Sequence, residues 1–393
     1  MLQKWVRNLV RKTPLAWLQV KREKMRLAVA LAGIAFADVL MLVQLGFSDA
    51  LYDSAAGPYT VLQGDLFLVN PVFESLSVFK SFPRERLYQA AGINDVTSIT
   101  SLYIDRGQWR NPHTRLEKTI LVFGVDPVNS AIALSQVTQH QNELKLLNRV
   151  LYDRAGREDF FGITADSFQR SSAIPIQVNG STIQVIGSFT LGASFSADGN
   201  MITSDSTFLR LFPKRQPNQI DVGVLKLAPG ADVNQTQTAL QANLPNDVVV
   251  LTHEELVARE KDYWANASPI GFIFGFGTVI GFVVGTVIVY QILYSDVSDH
   301  LPEYATLKAM GYNDAYLIGV LIQESLILAV LGFVPGLVLS TGLCYIAASA
   351  TFLPIKMTLS RAVTVLILTI IMCSASGAIA MRKLQSADPA DIF

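Results

Sequence analysis

Residues 271–294 read "GFIFGFGTVIGFVVGTVIVYQILY", a run without a single charged side chain. A helix that crosses the hydrocarbon core of a bilayer needs about 20 mainly apolar residues, so this stretch predicts a membrane span over 270–294. Three further segments meet the same criterion, and they are 27–47, 316–348 and 361–381. The sequence therefore predicts a multi-pass α-helical membrane protein with four transmembrane helices.

The region between the first and second spans, residues 48–269, has an ordinary mixed composition and is long enough to form a domain with its own core. Strand-like runs occupy 59–69, 96–104, 118–125 and 219–227. A hairpin is predicted over 174–189, because Asn179-Gly180 suits a type I′ turn between alternating strands. Together with a helical pattern at 83–92, these runs predict a large α+β extracytoplasmic domain of one or two subdomains between helices 1 and 2.

Basic residues indicate how the spans are oriented. Those that precede the first span are Lys4, Arg7, Arg11, Lys12, Lys21, Arg22, Lys24 and Arg26. Because Lys and Arg collect on the cytoplasmic side, we expect residues 1–26 to be cytoplasmic, with an amphipathic interfacial helix over 13–26. Four spans would return the tail, 382–393, to the cytoplasm and place 48–269 in the periplasm. The expected location is the inner membrane.

Several classes of activity are not supported by the sequence. The formal net charge of −1 gives no broad basic face for nucleic acid. The chain contains no Gly-Lys-Ser/Thr sequence and therefore no P-loop, and "HEEL" at 253–256 lacks the second histidine of a zinc-protease helix. Cys344 and Cys373 both lie in apolar stretches, which favours a simple packing role. We expect a non-catalytic chain without a metal site or a cofactor of its own.

Two groups of residues inside the spans stand out. The glycines of the second span are Gly271, Gly275, Gly277, Gly281 and Gly285. Small residues at a spacing of four allow another helix to approach closely, and the partner is either another span of this chain or a second copy. Polar side chains within spans should face protein or water, and these are Asp38, Gln44 and Glu324. For the carboxyl groups, the alternatives are a relay or packing switch and a neutral, hydrogen-bonded acid with a structural role.

The loop at 295–315 contains the pattern of a short amphipathic helix. Pro302 suits its first turn and Gly311 suits its end. The apolar positions are Leu301, Tyr304, Ala305, Leu307 and Met310, and the polar ones are Glu303 and Lys308. Such a helix either lies on the membrane or fills a groove on a soluble partner.

Four stretches resemble one family of membrane proteins. "PEYATLKAMGYND" (302–314) resembles the cytoplasmic segment of FtsX/MacB/LolC-type ABC transporter permeases. "KMRLAVALAGIAFA" (24–37) is similar to the start of their first span, "LIQESLIL" (321–328) to that of their third, and "LQSADPADIF" (384–393) to their closing segment. The stretch at 13–55 is similar to the DevC branch of this family, the cyanobacterial permeases of glycolipid exporters.

The resemblance implies a partnership in which this chain performs no chemistry. Two permease copies, as a homodimer, would pair with two copies of a separate DevA-like ABC ATPase that binds ATP and Mg²⁺. The residues that would form the ATPase-coupling helix are Pro302, Glu303, Tyr304, Ala305, Leu307, Lys308, Met310 and Gly311. A DevB-like membrane-fusion adaptor and a TolC-like outer-membrane duct would complete the path for a glycolipid or another amphiphile drawn from the membrane lipid.

Other functions share this membrane layout. An FtsX-like permease transmits ATPase motion to a periplasmic cell-wall hydrolase, and a LolC-like permease releases lipoproteins. The neighbouring genes would discriminate, because an adaptor favours export and a hydrolase favours regulation. A sensor with an exterior ligand-binding domain is a weaker alternative, because we expect only short cytoplasmic segments at 1–26, 295–315 and 382–393.

Overall fold

The computed structural model describes residues 24–156, 161–163 and 173–386, and for residues 304, 305, 308, 309, 314, 315, 317 and 381–386 it describes only the backbone. Most of the predicted interfacial helix (13–26) and the end of the tail (387–393) lie outside the described residues. The chain divides into two compact units. We call Met1–Ser48, Phe272–Ile346 and Ile355–Phe393 the membrane unit, and Asp49–Gly271 with Ala347–Pro354 the inserted unit.

The secondary structure of the described residues is numbered in chain order. The helices are α1 (Lys24–Ala56), α2 (Glu85–Ala91), α3 (Ser135–Gln139), α4 (Gln141–Leu144), α5 (Asp205–Leu211), α6 (Val233–Asn243), α7 (His253–Asp262), α8 (Pro269–Asp299), α9 (Leu301–Ala309), α10 (Asp314–Thr351) and α11 (Leu359–Ser386). The strands are β1 (Leu66–Val69), β2 (Phe82–Pro83), β3 (Val96–Arg110), β4 (Glu117–Val125), β5 (Arg149–Asp153), β6 (Ile174–Val178), β7 (Ser181–Phe189), β8 (Asn200–Ser204), β9 (Gln219–Ile220), β10 (Val222–Leu227) and β11 (Val249–Thr252).

Four of these helices, α1, α8, α10 and α11, are long and apolar enough to cross a membrane. Each contains one of the four predicted spans, and the β-sheet lies in the chain between the first and the second. The prediction of a four-helix membrane protein with a large inserted α+β domain is therefore confirmed. Each helix continues beyond its predicted apolar core, since backbone hydrogen bonding does not stop where the hydrophobic side chains end.

Helix α1 contacts the other three spans of the membrane unit. Its buried residues Ala30, Ile34 and Ala37 share a cluster with side chains of α8, α10 and α11. A Cβ atom added to Gly332 of α10 would lie 2.6 Å from Ile34 Cγ2, and one added to Gly336 would lie 2.8 Å from Asp38 Cβ. The absence of side chains at these two glycines lets α1 and α10 pack closely.

The inserted unit is built on one nine-stranded sheet with the order β11-β1-β10-β3-β4-β8-β5-β7-β6. The far end of β3 also pairs with β6, at Trp109↔Val178 and Arg110↔Gln177. This pairing closes six strands, from β3 round to β6, into a ring. The pairs β4–β8 and β5–β7 are parallel, and the others in the sheet are antiparallel. This sheet lies within the inserted unit, Asp49–Gly271 with Ala347–Pro354.

Local sequence signals in the inserted unit were partly right. Asn179 and Gly180 have φ angles of +50° and +75°, so the predicted type I′ hairpin is confirmed. The strand predicted at 59–69 is wrong over its first half, because Gly57–Val61 forms a 3₁₀ turn and only Leu66–Val69 is a strand. Pro58 favours the first turn of the 3₁₀ segment, which the apolar letters alone do not indicate.

Helix α7 precedes the second span and carries a buried carboxylate. Thr252 and Glu255 form a capping box at its start. Near its end, Glu260 Oε2 accepts hydrogen bonds from the Tyr59 hydroxyl at 2.6 Å and the Leu76 N–H at 2.8 Å, and Oε1 accepts one from Trp264 Nε1 at 2.8 Å. These bonds fix three separate segments of the inserted unit to one side chain.

Candidate coupling site and polar groups of the membrane unit

Helix α9 occupies the loop between the second and third spans, where the sequence predicts it. Pro302 lies in its first turn, and Gly311 follows its end with a φ of +93°, a left-handed conformation that glycine adopts without strain. The Tyr312 N–H donates to the Leu307 carbonyl at 3.1 Å, which is the six-to-one bond of a Schellman motif. The helix is thus closed at its C-terminus by its own backbone.

The two faces of α9 differ in exposure. Leu301 and Leu307 are half-buried and pack on a small cluster with buried Val297 of α8 and Leu321 of α10. Met310 is 63% exposed, and Pro302, Glu303 and Thr306 are also exposed. Leu307 therefore packs against α8 and α10 within the membrane unit, while Met310 is exposed.

The side chains of Tyr304, Ala305 and Lys308 lie outside the described residues. Their assignment to a partner-binding face remains a prediction. The exposed face that the structure does describe consists of Pro302, Glu303, Thr306, Met310 and Gly311.

An ion-pair cluster joins the base of α1 to the last turn of α8. Arg26 Nη1 lies 3.1 Å from Asp296 Oδ1, and Arg26 Nη2 pairs with Asp299. His300 Nδ1 lies 3.5 Å from Asp296 Oδ1. Sequence reasoning used Arg26 only as an orientation signal and missed this cluster. The available signal was the spacing of Asp296 and Asp299, since residues three apart share one helix face.

The glycines of α8 divide into two sets. A Cβ atom would lie 2.6 Å from Gln44 at Gly277, 3.2 Å from Leu40 Cβ at Gly281, and 2.6 Å from Ala37 Cβ at Gly285. These three glycines form the face on which α1 packs within the same chain. Gly275 has open space around it, and Gly271 abuts the Trp264 carbonyl within the inserted unit.

The predicted five-glycine stripe is therefore wrong, although its last three members share a face. The step from Gly275 to Gly277 is two residues, which rotates the position by about 200° around an α-helix. Gly275 consequently lies well off the face of the other three, and Gly271 lies beside the Trp264 carbonyl instead of a helix partner.

The structure places the three polar residues of the spans at different points in the membrane unit. Asp38 is fully buried and lies within hydrogen-bonding distance of the Thr369 hydroxyl of α11. Gln44 is half-buried beside Gly277, and Glu324 is buried in α10. They do not form one site. Among the described residues, no group of three or more His, Cys, Asp or Glu side chains could hold a metal ion.

One protein-family model matches the C-terminal part of the chain. Residues 268–389, which contain α8 to α11, match the family model described as FtsX-like permease C-terminal. The matched part of the chain includes α9.

Two solved structures are similar to parts of the chain at low identity. One is the periplasmic region of MacB from Actinobacillus actinomycetemcomitans, with 10% identity, a TM-score of 0.35, and coverage of 49% of this chain and 91% of that chain. The other is the extracellular domain of the noncanonic ABC-type transporter YknZ from Gram-positive bacteria, with 14% identity, a TM-score of 0.33, and coverage of 48% and 99%.

Proposed function

We propose that this chain is the permease subunit of a MacB-like ABC exporter and that α9 couples it to a separate ATPase subunit. The observation that carries the proposal is α9 itself. It is a short helix inside the FtsX-like permease domain, held on one side by Leu301 and Leu307 and exposed at Glu303, Thr306 and Met310. A helix held in this way transmits a push from a partner without bending.

The orientation and the assembly follow as parts of this proposal. The basic N-terminal segment favours a cytoplasmic position for both termini and for α9, and a periplasmic position for the inserted unit. The ATPase, DevA-like, would bind ATP and Mg²⁺ and contact α9 on the cytoplasmic side. Two copies of this chain, a DevB-like adaptor and an indirectly attached TolC-like duct would complete the exporter.

The proposed cargo is a glycolipid or another amphiphile. The support is the DevC-like stretch at 13–55, of which residues 24–55 form most of α1. In this mechanism, closure of the ATPase moves α9, and the closely packed α1 and α8 carry the motion towards the inserted unit. The cargo need not pass between the spans.

The test is purification of the tagged full-length chain from membranes of its own host, followed by mass spectrometry and an ATPase assay. The variant is Met310→Asp, and the control is Val72→Asp, an apolar residue of the inserted unit that is 58% exposed against 63% for Met310. We expect an ABC ATPase and an adaptor with the wild type and the control, and loss of only the ATPase with Met310→Asp.

The other outcomes are equally informative. A wall hydrolase in place of the adaptor would turn the assignment into an FtsX-like regulator, and a lipoprotein chaperone would turn it into a LolC-like releasing permease. Purification without any ATPase would remove the proposal.

A further inference from the structure

One guanidinium group connects two helices of the membrane unit at the point where α9 begins. Arg26 lies at the start of α1 and pairs with Asp296 and Asp299, which are both in the last turn of α8. Only His300 separates Asp299 from the first residue of α9. The ion pair therefore lies at the junction where α9 leaves α8.

The arrangement differs from an ordinary surface ion pair. The side chain of Asp296 is 7% exposed and that of Arg26 is 27% exposed, so the pair is only weakly screened by solvent and salt. Arg26 uses two separate nitrogens for two carboxylates, and the planar guanidinium holds these nitrogens in a fixed geometry that the single nitrogen of an ammonium lacks. His300 adds a second contact, since its Nδ1 lies 3.0 Å from the Asp296 carbonyl oxygen.

The apolar contacts of α9 do not connect it to α1, so that connection depends on the ion pair. Leu301 and Leu307 pack on Val297 and Leu321, and this cluster contains side chains of α8, α9 and α10. Helix α1 contributes no residue to it. Arg26 is thus a side chain through which α1 engages the last turn of α8, beside α9.

We infer that Arg26 is a positioning residue that couples displacement of α9 to α1, an inference that rests on the proposed ATPase-coupling function. When a partner pushes α9, the last turn of α8 moves with it. The paired guanidinium then moves α1, which packs on α8 through Gly277, Gly281 and Gly285. Without Arg26, the partner binds α9 as before, but the displacement no longer reaches the start of α1 directly and passes to α1 only through its packing on α8.

The experiment measures ATPase binding and ATPase stimulation separately, on the full-length chain purified with the ATPase and reconstituted in liposomes. The variant is Arg26→Ala and the matched control is Lys24→Ala, which removes an exposed positive charge from the same helix end. We expect Arg26→Ala to retain the wild-type amount of ATPase and the KM for ATP, but to lower the stimulated kcat by about tenfold, within the range of coupling between distinct protein sites. Lys24→Ala should leave kcat unchanged.

Three further variants guard against a simple folding defect. Asp299→Asn changes a half-exposed side chain and should lower kcat in the same direction. The double variant Arg26→Ala/Asp299→Asn should be no worse than Arg26→Ala, because both changes remove one interaction. Arg26→Lys should restore part of the stimulation.

The outcomes separate this inference from the function on which it rests. If no ATPase is purified with the wild type, the proposed function fails. If the ATPase is bound and stimulated, and both Arg26→Ala and Asp299→Asn retain the wild-type kcat, the function stands and the role of Arg26 is refuted. Equal losses with Lys24→Ala would also refute it, since general charge at the helix end would then be sufficient.

Discussion

The two units of the molecule each bury an acidic side chain, and they hold it in different ways. Glu260 of the inserted unit is 1% exposed and accepts three hydrogen bonds, from Tyr59, Leu76 and Trp264. One donor is a backbone N–H group, and the other two belong to rigid aromatic side chains. The carboxylate therefore acts as a structural centre that organises the chain on either side of it.

Asp38 of the membrane unit is 0% exposed but has a single hydroxyl partner. Its Oδ1 lies beside Thr369 Oγ1, and its Oδ2 has no hydrogen-bond partner within the part of the chain that the structure describes. Thr369 Oγ1 also lies 2.8 Å from the Val365 carbonyl. A hydroxyl has one proton, so both contacts are hydrogen bonds only when Asp38 is protonated and donates to Thr369. The two acids are thus similarly buried but differ in the number of polar groups that contact the carboxyl group, three at Glu260 and one at Asp38.

The largest expected effect is that of Glu260→Ala, which removes the carboxylate that accepts all three hydrogen bonds. Three buried donors lose their acceptor, and each unsatisfied group costs about 1–3 kcal/mol. We expect the free energy of unfolding of the inserted unit to fall by roughly 3 kcal/mol or more, measured by chemical unfolding of the full chain in detergent. Glu254→Ala, at an exposed position of the same helix, is the control and should change it by about 0.5 kcal/mol or less. Similar losses for both variants would contradict the comparison.

We expect the packing of α1 on α8, and not the hydrogen bond of Asp38, to keep the first span in place. Gly285→Leu forces a side chain against Ala37 and Met372, and overpacking of this kind costs about 1–3 kcal/mol. Gly275→Leu, on the same helix but facing open space, is the matched control. We expect a lower thermal unfolding midpoint for Gly285→Leu only. Equal effects of the two substitutions would show that α1 does not rely on this face.

The pH dependence of unfolding should reveal the state of Glu260. Burial raises the pKa of Glu260 above its ordinary value of about 4.5, and the hydrogen bonds from Tyr59, Leu76 and Trp264 oppose this shift. Because the folded state then binds the proton more tightly than the unfolded state, the contribution of Glu260 to stability falls as the pH rises from about 4.5 through its raised pKa.

Glu260→Gln removes this pH dependence. The loss in free energy of unfolding that it causes, relative to the wild type, should therefore be largest at acidic pH and smaller at neutral pH. Denaturant unfolding of both chains across this pH window measures the difference. A cost that grows towards neutral pH would mean that the three hydrogen bonds outweigh burial and hold the pKa down.

The smallest effect is expected for Asp38→Asn. The amide nitrogen of asparagine can donate to Thr369 as a protonated carboxyl group does, so stability should change by about 1 kcal/mol or less. Thr369→Val, which leaves Asp38 without its hydroxyl partner, should cost more. Thermal unfolding in detergent compares the two variants. A large loss with Asp38→Asn would show that the acid is charged and would favour the relay or packing-switch alternative.

The spans and α9 could be predicted because their signals are local. About 20 apolar residues specify a span, and a proline-to-glycine interval specifies a short capped helix, as Pro302 and Gly311 show. The turn at Asn179-Gly180 was predictable for the same reason, since it depends on the φ angles of two adjacent residues.

The remaining features depend on which elements meet in space. The direction of Leu307 is decided by Val297 and Leu321, which lie on other helices. The pairing of Arg26 with Asp296 joins residues 270 positions apart. The closure of the sheet between β3 and β6 is likewise a long-range choice that no run of strand-forming residues indicates.

The central claim, that α9 contacts an ATPase, is tested most directly by photo-crosslinking from a single position in living cells. A photoreactive amino acid replaces Met310, which is 63% exposed, and in a control chain it replaces Phe272, which is 67% exposed at the other end of α8. We expect a crosslinked product containing an ABC ATPase from position 310 and none from position 272. Crosslinks from position 310 to lipid alone, or to no ATPase, would contradict the coupling function of α9.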